Sequence, residues 1–312
     1  DIFGGQRSAL GAAESDAMAA QSSLAQVQVS MAAEVAVTYI DLRGLQARLA
    51  IARRNLAAQT ETLQIARWRA QAGLASSLDV EQAVAASEQT AAQIPTLASN
   101  LAQDQSSLAV LTGQAPGALN TLLQGNADGK PAIPQAPDSM ALAIPAETLR
   151  QRPDVRAAEY RVQAALDRVN QADAARYPSF QISGSLGLRA LTLGALTDGA
   201  SVLRNLLAGV SVPLLDGGAA RAQVQAQEAA LEQTRVAYEA TVLTALKDVE
   251  DGLVSLQSDQ ERLQRLKTAA TAAANADLLA SQRYASGLID FRTVLETQRT
   301  LLSTQDSVEA TQ

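Results

Sequence analysis

From Gly5 to Ala72 the chain contains no proline, and its apolar residues recur three, four or seven apart: Val35, Leu42, Leu45, Leu49, Ala52, Leu56, Leu63 and Ala66. That spacing is a heptad-like seam, narrower than the stripe of a helix lying on a globular core. A helix over the whole stretch reaches roughly 100 Å, since each residue adds about 1.5 Å. A rod of that length cannot wrap one compact core. The rod also occurs twice. Shifting the chain by 214 residues lays Gly4 on Gly218, Arg7 on Arg221, Glu14 on Glu228 and Val35 on Val249 without a gap. The same shift lays Arg48-Leu49 on Arg262-Leu263, Arg69 on Arg283, Gly73-Leu74 on Gly287-Leu288 and Val80 on Val294. The second copy keeps the seam through Leu246, Val249, Leu253, Leu256 and Leu263. An old duplication accounts for this register.

Each copy reads as a long helical hairpin. Gly73 and Gly287 supply the residue that helices favour just past their C-terminus. Ser76-Ser77-Leu78-Asp79 offers N-cap candidates for the first return helix, and Asp290 for the second. The first return helix should run to about Thr112-Gly113, kinked at Pro95, and the second from about Asp290 to the end of the chain. Arg53-Arg54 and Arg67-Trp68-Arg69 read as solvated helix faces, with Trp68 covering a seam near the turn.

Between the copies the pattern changes. Gly113 to Pro145 is rich in Gly, Pro, Asn and Asp and reads as a connector; Pro145 and Pro153 each stand where a helix starts. Val155, Ala158, Val162, Ala165, Leu166 and Val169 support a helix from Pro153 to about Tyr177. After Pro178 the period becomes two. Phe180, Ile182, Gly184, Leu186 and Leu188 alternate with Gln181, Ser183, Ser185, Gly187 and Arg189. A second stretch sets Leu206, Ala208, Val210, Val212 and Leu214 against Asn205, Leu207, Gly209, Ser211 and Pro213, with a loop around Gly194 to Ser201 between the two. This is an amphipathic β-hairpin whose strands approach the ~9–11 residues that cross an outer membrane. A soluble hairpin has the same alternation; the neighbouring rods favour the membrane. In lipid, its outer edges must pair with further hairpins in a closed barrel. By the repeat, Asp1-Ile2-Phe3-Gly4-Gly5 corresponds to the strand end that feeds the second rod, so a strand is expected upstream of the first residue.

The fold class expected is therefore mainly α: two long antiparallel, coiled-coil-like hairpins plus one β-hairpin of a transmembrane barrel. The division is 1–113 for the first hairpin with its turn near 73–78, 114–152 for the connector with a short helix, and 153–177 for a helix leading to the barrel. Residues 178–216 form the transmembrane β-hairpin, and 217–312 the second long hairpin with its turn near 287–290.

Composition narrows the chemistry. With no His and no Cys, imidazole acid–base work, thiolate nucleophiles, disulfides and the usual zinc sites are excluded. No carboxylate pair stands in a recognisable pocket motif, so no enzyme and no cofactor is expected. The net charge of −7 lacks the basic stripe of a nucleic-acid surface. Aromatics are only 3% against 47% apolar residues, so small residues dominate the apolar content and helices can approach closely. No run reaches the ~20 apolar residues of a membrane helix.

Several stretches, in this order, resemble the TolC-like outer-membrane efflux channels, in the lipoprotein branch paired with resistance-nodulation-division pumps. They are Asp1-Ile2-Phe3-Gly4; Gln93-Ile94-Pro95 with Leu97, running to Leu111-Thr112-Gly113 and Pro116-Gly117; Arg152-Pro153-Asp154-Val155-Arg156 with Ala158-Glu159; Ala174-Ala175-Arg176-Tyr177-Pro178-Ser179; and Arg283-Tyr284 with Gly287. The resemblance implies a homotrimer in the outer membrane of a Gram-negative bacterium, extending into the periplasm. Each copy gives four strands to a shared barrel and long helices to an α-barrel tunnel. Solutes such as drugs would pass through it from a periplasmic adaptor and an inner-membrane pump. Two of the four strands, and the lipid-bearing cysteine of this branch, are not in this sequence. The alternatives are a periplasmic adaptor, which carries one long hairpin beside lipoyl-like and β-barrel segments, or a structural coiled-coil scaffold.

The resemblance also suggests site residues. The turns Gly73-Leu74 and Gly287-Leu288 form the adaptor-docking periplasmic tip, roughly Ala70 to Leu78 and Ala285 to Phe291. Gate and constriction positions fall on Asp79, Tyr284, Glu296 and Arg299, with Arg292 where relatives place an apolar plug and Thr293 where some place a second acid. Read without the resemblance, Asp79 is a helix-dipole carboxylate, Tyr284 packs in a seam, and Glu296 with Arg299 is a solvated i, i+3 pair.

Overall fold

The computed structural model describes residues 2–124, 133–134, 150–189, 202–213 and 215–312. Within them the chain forms α1 (Gly5–Gln71), α2 (Ser77–Leu111), α3 (Asn120–Leu123), α4 (Pro153–Ala174), β1 (Ser179–Leu188), β2 (Val202–Ser211), α5 (Ala219–Ala285) and α6 (Phe291–Thr311). Asp1, Pro145 with much of the connector, the loop around 194–201 and Leu214 lie outside the described residues.

The duplication is preserved to the residue. Helices α1 and α5 each contain 67 residues, and their ends are displaced by the same shift that aligns the sequences. The return helices α2 and α6 begin at equivalent positions, Ser77 and Phe291. Helix α2 runs through Pro95 without a break. Two boundaries differ from expectation. Helix α4 stops at Ala174, three residues short of Tyr177, because Tyr177 precedes Pro178 and is steered out of helical geometry. Its end tightens into i→i+3 bonds, with the Tyr177 N–H on the Ala174 carbonyl at 3.2 Å. Strand β2 begins at Val202 and ends at Ser211, although the alternation continues to Leu214. Ser211 pairs with Ser179, and beyond that pair stand Pro178 and Pro213, neither of which can donate to a ladder.

The chain divides into two compact units. The first comprises residues 1–28 and 143–249. Its helices pack through small side chains: Ala12, Ser15, Ala19 and Ser22 of α1 are buried, as are Ala157, Ala158, Ala164, Ala165 and Ala172 of α4. The approach is close. A Cβ on Gly11 would lie 3.0 Å from an Asp167 oxygen, and one on Gly5 would lie 3.2 Å from the Ala174 Cβ. Arg168 binds Asp16, and Arg161 donates to the Ser23 hydroxyl at 3.2 Å, two rungs one heptad apart on each helix. At the start of α4, Arg152 clasps Asp154 through Nε (3.1 Å) and Nη2 (2.8 Å) and reaches Asp248 of α5 at 3.3 Å.

In the same unit, β1 and β2 form a two-stranded antiparallel sheet that pairs Phe180 with Val210, Ile182 with Ala208, Gly184 with Leu206 and Leu186 with Arg204. Directly paired residues share a face, so the register stacks the apolar sets of both strands on one side. Ser179, Gln181, Ser183 and Ser185 stand on the other, opposite Ser211, Gly209, Leu207 and Asn205. Among the described residues nothing covers the apolar face, with Ile182 and Leu206 each 78% exposed. Among the described residues no third strand pairs with either edge, and no helix is long and apolar enough to cross a membrane.

The second unit comprises residues 29–142 and 250–312. Among its described residues lie two apolar clusters. Leu42, Leu108 and Leu123 form one, with Val35, Tyr39, Leu101 and Leu119 packed on it. Leu63, Ala66, Ala83, Ala280, Tyr284, Phe291 and Val294 form the other, beside the helix turns. The seam expected on α1 is present, with Leu42, Leu49, Ala52, Leu63 and Ala66 buried. Its counterpart on α5 is only half-covered at Leu253, Leu256 and Leu263.

A candidate gate at the helix turns

The turns are built from local rules. Gly73 (φ +72°) and Gly287 (φ +77°) take the left-handed conformation that L side chains avoid. Each ends its helix in a Schellman motif. The Gly73 N–H donates to the Ala70 carbonyl at 3.0 Å and the Leu74 N–H to Arg69 at 2.8 Å; the Gly287 and Leu288 N–H groups donate to Tyr284 and Arg283, each at 2.9 Å. Ser76 and Asp79 then form a capping box, Asp79 N–H to Ser76 Oγ at 3.3 Å and Ser76 N–H to Asp79 Oδ2 at 3.0 Å. At the equivalent place Asp290 accepts from the Thr293 N–H (3.1 Å) and hydroxyl (2.6 Å). Those two bonds, the hydroxyl's first, hold the Asp290 carboxyl below the usual carboxylate range. Leu74 (69% exposed) and Leu288 (74% exposed) project into solvent from the two turns.

Tyr284 is only 4% exposed, tilted against Phe291 at 5.3 Å between ring centroids. Its hydroxyl has no hydrogen-bond partner. Burial raises its pKa above the phenolic value, Arg69 works against that, and Asp79 adds to it. Asp79 is thus near enough to be felt, yet its carboxylate serves the capping box rather than the tyrosine hydroxyl. The contact that joins the hairpins here is one the sequence reading assigned to a solvated face. Arg69 Nη1 donates to the Tyr284 carbonyl, and the guanidinium carbon sits 4.4 Å from the tyrosine ring centroid, well inside cation–π range. Its available signal was position: Arg69 and Arg283 each stand four residues before a turn glycine. Trp68, expected in a seam, is 60% exposed, because its neighbour Arg69 takes the inward-facing side of the helix.

On α6, Glu296 is exposed and pairs with Arg292 at 3.0 Å, four residues back, rather than with Arg299. Arg299 instead lines a groove of about 550 Å³ beside Gln298 and Asp306, facing Gln82, Gln89 and Thr90 of α2. The structure therefore brings Tyr284 together with Arg69 and sets Asp79 nearby, while Glu296 and Arg299 go separate ways. Further along α1, polar rungs recur every seven residues toward α6. Arg48 binds Asp306 through two bonds (2.6 and 3.0 Å), Asn55 meets Gln305 at 3.2 Å, and Thr62 accepts from Gln298 at 3.0 Å. Arg69 stands at the next step of that stripe. Among the described residues no group of acidic side chains is placed to hold a metal ion.

Residues 1–114 and 144–312 match the family model described as outer membrane efflux protein. The chain is 31% identical over 306 residues to outer membrane protein OprJ of Pseudomonas aeruginosa, covering 96% of this chain and 61% of that protein. It is 30% identical over 305 residues to the toluene efflux pump outer membrane protein TtgF of Pseudomonas putida, covering 98% and 62%. A solved structure of the outer-membrane channel OprN superposes with a TM-score of 0.91 at 33% identity, over 100% of this chain and 69% of that one. The chain thus spans about three-fifths of the length of the relatives it matches. With nearly its whole length matched in sequence and all of it in backbone, the chain belongs to the outer membrane efflux protein family.

Proposed function

We propose that this chain acts in the outer-membrane exit channel of a tripartite efflux pump. Three copies surround one passage, their β-hairpins contributing to a shared transmembrane barrel and their paired helical hairpins to a periplasmic tunnel. Transport through it is passive: solutes handed over by an inner-membrane resistance-nodulation-division pump and a periplasmic adaptor leave along a water-filled bore. The observation that carries this reading is the coexistence, in one chain, of two hairpins repeated in register and an uncovered amphipathic sheet. A sheet with one apolar face and free edges is stable in lipid only when its edges are closed by further strands. Long helices with seams left half-covered need neighbours of the same kind.

The turns at Gly73 and Gly287 form the periplasmic tip, where Leu74 and Leu288 meet the adaptor. Asp79, Tyr284, Glu296 and Arg299 belong to its closure. Threefold repetition of one carboxylate makes a ring of negative charge. Glu296, paired with Arg292, gives a weaker ring than an unpaired acid would. Single-channel recording of the full-length protein in a planar lipid bilayer tests this. Small, long-lived, cation-preferring openings support a conduit closed at an acidic tip. An absence of current from folded, membrane-inserted protein would favour an adaptor or scaffold role instead.

A further inference from the structure

Arg69 leaves its own hairpin to bind the neighbouring one. Its Nη1–H meets the Tyr284 carbonyl, which already accepts the Gly287 N–H at 2.9 Å. Its Nη2 lies 3.8 Å from where a Gly287 Cβ would stand. A cation is thereby placed on the C-terminal end of α5, where the last carbonyls lack helical donors and the helix dipole is negative. In effect the first hairpin caps the second.

The duplication makes a second clasp of this kind. Arg283 is the equivalent of Arg69, four residues before the same glycine in a turn with the same hydrogen bonds. Yet the Arg283 side chain is exposed, and no hydrogen bond, ion pair or ring contact occupies its guanidinium among the described residues. Its target by the same shift is the Ala70 carbonyl beside Gly73, which accepts the Gly73 N–H at 3.0 Å and has a second lone pair free. In a closed ring of identical copies each second hairpin lies beside the first hairpin of the next copy, so a contact made inside one chain has a counterpart between chains.

We propose that Arg283 binds the Ala70 turn of the adjacent copy, repeating between chains the clasp that Arg69 makes within one. This rests on the assembly of copies proposed above. The two clasps are unequal. Where Arg69 finds the Tyr284 ring, Arg283 finds the methyl group of Ala70, so the clasp between copies keeps the carbonyl bond and lacks the cation–π contact. Seams between copies then part more readily than the seam within a copy, and opening of the tip begins there.

Two measurements on the full-length protein test this. First, Arg283→Cys combined with Ala70→Cys is treated with a short bismaleimide in membranes; these 312 residues contain no native cysteine, and the single variants control for any elsewhere in the full-length protein. Covalent dimers and trimers on a denaturing gel, absent from either single variant, are expected. Cross-links confined to one chain, or none, overturn the proposal whether or not the protein conducts. Second, Ala70→Tyr supplies the missing ring. It should reduce open probability about two- to fivefold, the effect of one exposed cation–π contact, and should lose that effect when Arg283→Ala is added. An equal effect of Ala70→Tyr with and without Arg283 overturns the clasp while leaving the channel reading intact. Failure of the wild-type protein to conduct counts against the channel alone, because the cross-linking result stands by itself.

Discussion

The turn glycines allow a sharp test because the duplication supplies an internal control. Replacing Gly287 with Ala asks an L residue to hold φ near +77°. The left-handed conformation costs about 1–2 kcal/mol. Space does not add to this: the new Cβ would meet only the Arg69 Nη2 at 3.8 Å, an ordinary contact, and at Gly73 (φ +72°) it would meet nothing within 4 Å. The two substitutions should therefore cost alike. The bonds they loosen are those of the Leu74 and Leu288 N–H groups, at 2.8 and 2.9 Å. Amide hydrogen exchange reads them directly, and a loss of 1–2 kcal/mol in local opening speeds exchange roughly 5- to 30-fold. Asn, which tolerates this conformation better, should cost less than Ala. Gly287→Pro should cost about 3 kcal/mol or more, since proline fixes φ at the opposite sign and removes the donor to the Tyr284 carbonyl. It should also abolish adaptor docking and export in cells. Unchanged exchange at Leu288 in Gly287→Ala would refute the left-handed turn. A much larger cost at Gly287 than at Gly73 would show that Arg69 packs more tightly there than the distance implies.

Glu296→Ala should weaken cation preference and divalent-cation block of single-channel currents; unchanged selectivity would place Glu296 away from the bore. Arg152→Ala strips Asp154 and Asp248 of their shared partner and should cost about 1–3 kcal/mol of stability in denaturant titration. Arg152 holds the Asp154 carboxyl below its ordinary 3.8, so the clasp contributes fully above that pH and is lost as pH falls through the lowered value; an acid titration should show the wild-type advantage disappearing only below about pH 4. Leu206→Asp puts a charge on the apolar sheet face and should block insertion into outer-membrane vesicles, whereas Ser183→Asp on the opposite face should not. Leu243→Glu, at an exposed α5 position, should dissociate the assembly on size-exclusion chromatography while leaving helical circular dichroism unchanged.

What was legible in the sequence was whatever short-range chemistry decides. Gly73 with Ser76 and Asp79, and Gly287 with Asp290, specify stop, turn and restart within a few residues, and the caps formed at Ser76 and Asp290. Alternation placed β1, but it overran the end of β2, because pairing ends where Pro178 and Pro213 remove ladder donors while the alternation carries on past Pro213. Longer-range choices were hidden. Helix geometry permits Glu296 to meet either Arg292 or Arg299, and only the groove beside α2, which Arg299 lines, separates the two. Arg69 and Arg283 each stand four residues before a turn glycine, but Ala70 follows the first and Tyr284 the second. Their difference lies in Tyr284, 215 residues from Arg69, and no periodicity reports a partner at that distance.

The two hairpins share turns and caps but differ in how well their seams are covered, and the apolar side chains left bare on both carry the case for assembly. Leu42 of α1 is fully buried against Leu108 and Leu123; Leu256, its equivalent in α5, is half-buried. Val236, Leu243 and Val254 of α5 stand more than half exposed, as do Leu10 and Leu24 of α1, with Met31 nearly so. Burying one such side chain contributes about 1.5–3 kcal/mol. Several of them left in water on each copy hold back a free energy comparable to the ~5–15 kcal/mol net stability of a whole domain. The rungs at Arg48, Asn55 and Thr62 occupy one heptad position of α1, whereas Leu10, Leu24 and Met31 occupy another. That second position is buried at Ala52 and Ala66 and exposed at Leu10, Leu24 and Met31, so one stripe is covered along part of its length and bare along the rest. Apolar side chains left bare on both long helices, beside seams closed within the chain, are what a subunit presents if further copies of itself are to meet them.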